Sequence, residues 1–323
     1  MNDAQALEFA RQAMRHWGVA CEPRLIKNRE NAVFEVRAPD DARAALRLHR
    51  PGYQTEDAIR SELWWTEALV EGGMVVPLPY RTTVGDVLAY IEEAGRVASL
   101  VSWIEGEPMG EGDVPLSGTP EQQVTWHHAL GRELARLHIL SDNATLPVNF
   151  VRPELSMEAL LGDAPAWGRF WENPSLSPTE ADVLQNARDD LQVVLSDHIT
   201  AGADFGLIHA DALRENVMLC GDRVRLIDFD DGVFGFRMYE LGVAMSQNWD
   251  QSNKHALGQA LLEGYSSLRP LSENAPELLE AFTLLRGLAS CGWVIGRYDP
   301  HHPATRSYAE RALVMCRHWR DGR

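Results

Sequence analysis

The alternation of apolar and polar residues predicts a small antiparallel sheet near the amino terminus. Three short bursts of alternation fall within residues 24–50, with turn residues at 39–41 between the second and the third. Residues 55–73 instead repeat at helical spacing, with Ala58, Leu63 and Leu69 near one face and paired glycines as the stop. Two further strands and a closing apolar run are predicted at 79–83, 87–93 and 97–106.

The pattern changes after residue 106. Residues 107–119 are rich in Gly, Pro and acidic side chains without periodicity, which predicts a linker. Helical patterns then dominate: Thr119 is the expected N-cap of a helix that starts at Pro120, another helix lies near 178–199, and three or four more follow. We therefore predict an α+β fold of two lobes, an antiparallel sheet lobe with one helix over 1–105 and a larger, mainly helical lobe over 106–323.

One segment interrupts the helical region. Between residues 205 and 229, three β-rich runs occur, and the last two are joined by a hairpin-like turn at 220–222. Runs of this length predict a small local sheet. Its edges would present Asp211, Asn216 and Asp228 as loop residues that face one place.

Composition and charge restrict the possible partners. The chain has 323 residues, of which 45% are hydrophobic, enough for a substantial core. Its 47 acidic and 30 basic residues give a net charge of -17, which disfavours a nucleic-acid partner. Neither a secretory signal nor a membrane-length apolar run is evident, and the four cysteines lie far apart, so we expect a cytoplasmic protein. The sequence gives no indication of oligomeric state.

The spacing of the polar residues in the interrupting segment is typical of phosphoryl transfer. His209, Asp211 and Asn216 form an H-x-D-x4-N pattern, and an Asp-Phe-Asp turn follows after the hairpin. The reaction needs one carboxylate to orient the acceptor hydroxyl and take its proton, and hard oxygen ligands for magnesium. Asp211 suits the first role, and Asn216 and Asp228 suit the second.

These residues carry a family resemblance. "IHADALRENVML" together with "LIDFDD" resembles the aminoglycoside phosphotransferase and homoserine kinase-like family of small-molecule kinases, within the protein-kinase-like superfamily. The likeness covers nearly the whole chain. It implies a bilobal protein-kinase-like fold with ATP in the cleft between the lobes, Mg2+ as cofactor, and transfer of the γ-phosphate to a hydroxyl of an amino alcohol, a homoserine-like or an aminoglycoside-like acceptor.

The resemblance also implies roles in the first lobe. Arg47 stands at the third-strand position that usually holds Lys, and is the expected phosphate clamp with Glu62 as its partner. Asn31 lies in the hairpin that resembles the phosphate-covering loop. The backbone at Ser102 and Ile104 is expected to hold adenine.

Several roles stay open at this stage. Arg214 could reach the γ-phosphate or cover the loop, in equal measure. Asp230 and Asp231 could contact metal, line the acceptor pocket or stand in a solvated turn. Glu240 is expected to brace the catalytic loop. Candidates for the wall of an enclosed acceptor pocket come from segments 143–177 and 292–306, and are Arg152, Trp167, Trp293 and Arg297.

Two alternatives to a small-molecule kinase remain. One is a protein Ser/Thr kinase of the stress-response type. The hairpin at residues 28–33 lacks the glycines of protein kinases, and only about ten residues, 231–240, follow the Asp-Phe-Asp turn before the next helix, which is short for a peptide platform. The other is a catalytically silent nucleotide-binding relative, which the intact Asp211, Asn216 and Asp228 disfavour.

Overall fold

The computed structural model describes residues 1–29, 31–112 and 114–321; Glu30 of the predicted hairpin, Asp113 of the predicted linker and the last two residues of the predicted helical lobe lie outside them. The chain divides into two compact units. The first unit contains Met1–Gly106, Asn143–Arg152 and Ile227–Asp230, and the second contains the other segments, Glu107–Asp142, Pro153–Leu226 and Asp231–Arg323. The assignment of 1–105 to nucleotide binding and of 106–323 to catalysis and acceptor binding stays a prediction.

The first unit is built on a five-stranded antiparallel sheet in the order β1-β2-β3-β5-β4. Its strands are β1 (Arg24–Asn28), β2 (Ala32–Arg37), β3 (Arg43–Leu48), β4 (Leu88–Ile91) and β5 (Arg96–Ser102). Alternate residues of β2 and β3, among them Phe34 and Leu46, are fully buried, which is the pattern expected of a sheet with one face on the core. The predicted three-strand meander is thus present.

The predicted strand at 79–83 is wrong. Pro79 makes only an isolated bridge to Val101, although the flanking Tyr80 N–H donates to the carbonyl of Leu100. Proline has no N–H to donate to a ladder, so this segment follows the sheet edge without extending it.

Two helices belong to this unit, α1 (Asp3–Met14) and α2 (Glu56–Glu71). The Thr55 side chain caps α2 by accepting the N–H of Ala58 at 3.1 Å. The helix ends at Gly72, and Gly73 takes the left-handed φ of +85° that favours glycine. The buried face of α2 contains the predicted apolar residues and, among them, the carboxylate of Glu62.

The second unit is mainly helical. Its helices are α3 (Pro120–Asn143, whose last residue belongs to the first unit), α4 (Met157–Leu161), α5 (Pro178–Thr200), α6 (Arg237–Ser246), α7 (Lys254–Ser266), α8 (Ala275–Trp293) and α9 (Pro303–Asp321). Thr119 caps α3 as predicted, since its hydroxyl accepts the N–H of Gln122 at 3.3 Å. Within the described residues, four helices follow the segment of residues 205–229, in agreement with the predicted three or four.

The single local sheet predicted for residues 205–229 is wrong, because its strands belong to two different sheets. One sheet has the order β10-β9-β6 and the other has the order β7-β11-β8. The strands are β6 (Glu107–Pro108), β7 (Glu154–Leu155), β8 (Phe205–Ile208), β9 (Val217–Cys220), β10 (Arg223–Leu226) and β11 (Val233–Phe236). The predicted linker therefore starts with a strand, and the predicted hairpin turn is present with Gly221 at a φ of +65°.

Helices α3 and α7 of the second unit pack with their backbones in contact. A Cβ atom on Gly131 would lie 2.0 Å from the carbonyl oxygen of Leu261, and one on Gly264 would lie 2.0 Å from that of His128. Glycine is therefore required at both positions for this packing. Across the described residues, no helix has both the length and the apolar character that a membrane crossing demands.

Candidate functional site

The loop of residues 209–216, between β8 and β9 of the second unit, carries the predicted catalytic residues. His209 is fully buried, and its Nδ1 accepts the N–H of Asp211 at 3.2 Å. Ala210 adopts a φ of +63°, which an alanine rarely takes and which the surrounding hydrogen bonds must maintain. The buried carboxylate of Glu240, on α6, accepts the N–H groups of both His209 and Ala210. The loop backbone is thereby fixed at its turning point.

The carboxylate of Glu240 is fully buried, which is unusual for an acidic side chain. Burial raises its pKa to about 7, although the two backbone N–H groups and the guanidinium of Arg237 act in the opposite direction. The Nε2 atom of His138 lies 3.7 Å from Glu240 Oε2, and its Nδ1 pairs with the Tyr265 hydroxyl at 2.8 Å. Burial holds the pKa of His138 well below its usual value, so this imidazole is neutral.

Asp211 is held on both carboxylate oxygens. Its Oδ2 accepts the side-chain amide of Asn216 at 2.8 Å, and the same amide donates to the Asp211 carbonyl at 2.9 Å. Its Oδ1 accepts Nη2 of Arg286 at 3.0 Å. Because the amide nitrogen of Asn216 faces Asp211, the atom with which Asn216 could hold a cation is its Oδ1. The structure thus brings the predicted base and one predicted metal ligand into direct contact.

Arg214 has the second of its two proposed roles. Its guanidinium is buried, with Nε and Nη2 donating to Asn248 Oδ1 at 3.0 and 2.8 Å. Its Nη1 donates to the carbonyls of Glu111 and Val114 at 3.2 and 2.7 Å. These hydrogen bonds fasten the catalytic loop to the segment that precedes α3 and to the end of α6. The side chain is therefore a structural cover of the loop, and the γ-phosphate role is not the one that its contacts support.

In the first unit, the predicted phosphate clamp lies among carboxylates. On β3, Arg47 donates from Nη1 to Glu62 Oε1 at 3.1 Å and from Nη2 to Asp228 Oδ1 at 2.8 Å, and Asp230 Oδ1 is 4.0 Å away. Burial opposes the charge of Arg47, but the negative charges of Asp228, Glu62 and Asp230 outweigh it and raise the pKa of the guanidinium. The predicted pair of Arg47 and Glu62 is thus present, and Asp228, which was predicted as a metal ligand, is a second partner of Arg47 that the sequence did not indicate.

The ionised form of Glu62 remains unfavourable despite its ion pair with Arg47. Burial raises its pKa to about 7, Arg47 acts against that shift, and the charge of Asp230 adds to it. Its Oε2 is buried and makes no hydrogen bond within the described residues. Burial is therefore the main cause of the raised pKa of Glu62, whereas the pKa of Arg47 rises because its guanidinium faces three carboxylates.

The Asp-Phe-Asp turn is held by residues distant in sequence. Asp228 takes a φ of +65° and leaves its side chain 48% exposed, while Phe229 packs edge-to-face on Trp65 with ring centroids 5.2 Å apart. Asp230 accepts the amide of Asn31 at 3.1 Å, and its carbonyl accepts Nη2 of Arg152. The interpretation of Asp230 as part of a solvated turn is therefore wrong.

The other predicted nucleotide contacts also lie in the first unit. Asn31 bonds Asp230 and accepts the N–H of Arg50 at 2.8 Å, so the hairpin is tied to the turn. The Ser102 N–H donates to the Leu78 carbonyl at 2.8 Å, which leaves only its carbonyl to bind adenine. Ile104 is buried. Their contacts with a nucleotide stay predictions.

The residues predicted to form the wall of the acceptor pocket are divided between the two units. Arg152 is buried in the first unit and donates to the carbonyls of Ala58 and Asp230. In the second unit, the guanidinium carbon of Arg297 lies 4.2 Å from the centroid of the Trp293 ring. Trp167, in the same unit, lies near Tyr239. Their contact with an acceptor stays a prediction.

Sequence reasoning missed Arg286. It lies in the motif-free stretch "AFTLLRGLASCGW" of α8, where it is the sole charged residue among apolar and small ones. A lone charge in a mostly buried stretch of helix requires a partner, and that signal could have marked it as a site residue.

The donor set suits magnesium bound to a nucleotide. Within the described residues, no cluster of three or more His, Cys, Asp and Glu side chains could hold a metal by itself. Mg2+ usually takes only one or two carboxylates from a protein and completes its shell with phosphate oxygens and water. In the first unit, Asp228 offers a half-exposed carboxylate, and in the second unit, Asn216 offers its Oδ1. Taken separately, each is a ligand of the hard type that Mg2+ requires.

A comparison with known protein families identifies the class to which this chain belongs. The sequence profile of the phosphotransferase enzyme family matches residues 23–311, so the chain belongs to that family. Similar solved structures share its protein-kinase-like α+β fold, and both the predicted family and the predicted fold class are confirmed.

Individual relatives are kinases. A homoserine kinase of Sinorhizobium medicae (strain WSM419) is 31% identical over 242 residues, which cover 72% of this chain and 65% of the length of that relative. The structure of a microcompartment-associated aminopropanol kinase is 27% identical, with a TM-score of 0.83 and coverage of 98% of both chains. An amicoumacin kinase in complex with AMP-PNP, Ca2+ and Ami is 16% identical, with a TM-score of 0.75 over 98% of this chain and 94% of its own.

Proposed function

We propose that this protein is an ATP-dependent kinase that transfers the γ-phosphate to a hydroxyl group of a small molecule. The observation that carries the proposal is the carboxylate of Asp211, held by Asn216 and Arg286 in a loop that Glu240 fixes. A carboxylate held in this way can orient the acceptor hydroxyl and take its proton as the oxygen attacks the γ-phosphorus. The P–O bond to ADP breaks in the same step.

Arg47 and the residues around it would bind the nucleotide. Its guanidinium would bind the α- and β-phosphates, and Glu62 would keep it in place through their ion pair. Asn216 and Asp228 would hold Mg2+, which neutralises phosphate charge when bound. The carbonyl of Ser102 and the backbone of Ile104 would take the adenine.

Two observations support a small acceptor over a protein. The segment that follows Asp230 consists of six residues before α6, and four of them form β11, which pairs with β7 and β8. A strand paired on both sides cannot serve as the long activation segment on which protein kinases dock peptides. The relatives named for homoserine and aminopropanol further favour an acceptor that is a small amino alcohol.

A panel assay tests the proposal. ATP consumption is measured with aminopropanol, homoserine, an aminoglycoside, a simple sugar and a generic protein substrate, and we expect turnover with a small amino alcohol. Asp211→Ala should lower kcat by about 10²- to 10⁴-fold while nucleotide affinity stays nearly unchanged, because the base acts on the acceptor. Asp222→Ala, on the exposed β9–β10 turn, is the matched control. Preferential phosphorylation of the protein, or wild-type kcat in Asp211→Ala, would overturn the proposal.

A further inference from the structure

Arg286 is a charged residue in an apolar setting. It lies in the middle of α8, and its side chain is only 12% exposed. Its Nη2 donates to Oδ1 of Asp211 at 3.0 Å. Burial opposes its charge, but Tyr239, Asp211 and Asp231 outweigh burial and raise the pKa of the guanidinium, so Arg286 is a fixed cation beside the catalytic loop.

Tyr239, on α6, lies close to this guanidinium. The hydroxyl of Tyr239 is buried, and so are Nε of Arg286 and Nε1 of Trp167. These three polar atoms are close enough for Arg286 and Trp167 to act on the pKa of Tyr239, yet none makes a well-formed hydrogen bond within the described residues. Arg286 is thus hydrogen-bonded to Asp211, and its buried polar neighbours restrict where its guanidinium can lie.

The two contacts of the Asp211 carboxylate lock its rotation. Asn216 holds Oδ2 from within the loop, and Arg286 holds Oδ1 from α8, so the carboxylate plane cannot turn about the Cβ–Cγ bond without breaking a hydrogen bond. A carboxylate oxygen has two acceptor sites, so a lone pair is available to an acceptor hydroxyl even with both contacts made. Without Arg286, Oδ1 of the carboxylate would lose its hydrogen bond to α8.

We propose that Arg286 is a positioning residue that fixes the orientation of the base Asp211 toward the acceptor hydroxyl. This inference rests on the proposed function, since it needs Asp211 to be the base. Tyr239 and Trp167 limit the position of the guanidinium and stand one step further from the reaction. Because near-attack geometry is sensitive to displacements of about 1 Å, loss of the contact should cost about 10- to 100-fold in kcat.

A double-mutant cycle tests the proposal on the full-length protein. Arg286→Gln, Arg286→Lys, Asp211→Asn and the combined Asp211→Asn/Arg286→Gln variant are compared for kcat, acceptor KM and nucleotide Kd. Arg286→Gln should lower kcat while KM and Kd stay within about twofold, and Arg286→Lys, which keeps the charge and a donor, should recover part of the loss. In the Asp211→Asn background, Arg286→Gln should cause no further loss, because the residue acts through Asp211.

A control variant tests whether the loss of any positive charge affects kcat. Arg320→Gln removes an exposed positive charge from α9 and should leave kcat unchanged. An equal loss from Arg286→Gln with and without Asp211 would overturn the positioning role, and so would a raised acceptor KM at constant kcat, which would mean that Arg286 binds the acceptor. If Arg286→Gln does not fold, Arg286→Lys carries the comparison in the wild-type and Asp211→Asn backgrounds. A partial loss of kcat that disappears in Asp211→Asn is expected, and an equal loss in both backgrounds, or no loss in either, would overturn the positioning role. Wild-type kcat in Asp211→Asn alone would instead overturn the proposed function.

Discussion

The side chain of Asp228 has two properties that suit a metal ligand, since it is a hard carboxylate donor and half of it is exposed. Its Oδ1 is also paired with Arg47 at 2.8 Å. The left-handed φ of +65° places this carboxylate at the turn where β10 ends. Aspartate tolerates that backbone better than most residues, so the conformation and the chemistry favour the same residue type.

Replacement of this carboxylate should appear as a metal effect. Asp228→Asn should raise the Mg2+ concentration needed for half-maximal ATP turnover, because a charged ligand becomes neutral, and high Mg2+ should restore part of the activity. Titration of activity with Mg2+ measures the shift, and Asp222→Asn is the control. An unchanged Mg2+ dependence would identify Asp228 as a structural residue.

Arg214 and Asp230 show at the same scale why residue type alone left alternatives open. An arginine beside a catalytic loop can bind phosphate or backbone carbonyls, because its five donors suit both. The partners of Arg214, Asn248 and two carbonyls of the preceding segment, lie far away in sequence. Asp230 is likewise explained by Asn31, 199 residues away.

At the scale of elements, the contact of α3 with α7 imposes a strict size limit. Gly264→Ala would place a Cβ atom 2.0 Å from the backbone oxygen of His128, and the backbone cannot yield as a side chain can. We expect a loss of about 1–3 kcal/mol in the free energy of unfolding, measured by urea denaturation. Gly258→Ala in the same helix is the matched control, since its new Cβ would meet the flexible end of Leu279 at 3.2 Å. Equal stability of the two variants would contradict the packing argument.

Two residues of helix α6 contact different parts of the candidate site. Consecutive residues, Tyr239 and Glu240, face Arg286 and the backbone of the catalytic loop respectively. A helix turns by about 100° per residue, so neighbours in sequence reach different partners only where the helix is buried on several sides. All ten residues of α6 are buried, which satisfies that condition.

At the scale of the whole molecule, Glu240 links the stability of the fold to pH. Its folded pKa of about 7 lies above the value of about 4.3 for an unfolded chain, so the folded state binds a proton over that interval. The contribution of Glu240 to stability is therefore present below about pH 4.3 and is lost as the pH rises through about 7.

Glu240→Gln should remove this dependence. The stability of the variant relative to wild type should increase from about pH 5 to about pH 8, with a slope of at most about 1.4 kcal/mol per pH unit below pH 7. Urea unfolding at several pH values measures the difference, and Glu280→Gln, on the exposed face of α8, is the control. The difference between two curves isolates Glu240 from the buried histidines, whose lowered pKa values act in the opposite sense. A constant difference would refute the protonation of Glu240 in the folded state.

The local parts of this protein could be predicted from short-range patterns in its sequence. The catalytic loop contains both Asp211 and Asn216 within six residues, and the hairpin that follows is specified by its own turn, so short-range spacing was sufficient to find them. The helices with clear caps, such as α3 and α5, were predictable for the same reason: their periodicity and their end signals lie within a few residues of each other.

The contacts between residues distant in sequence could not be predicted from such patterns. Arg286 is 75 residues from Asp211, and strand β8 pairs with β11 instead of joining the β9–β10 hairpin. Such contacts depend on which faces of helices and which edges of strands pack together, and a local pattern encodes the face but not its partner. The physical reason is that the packing energy is spread over many weak, non-directional contacts, whereas the hydrogen-bond donors and acceptors that define the site take their partners from that packing.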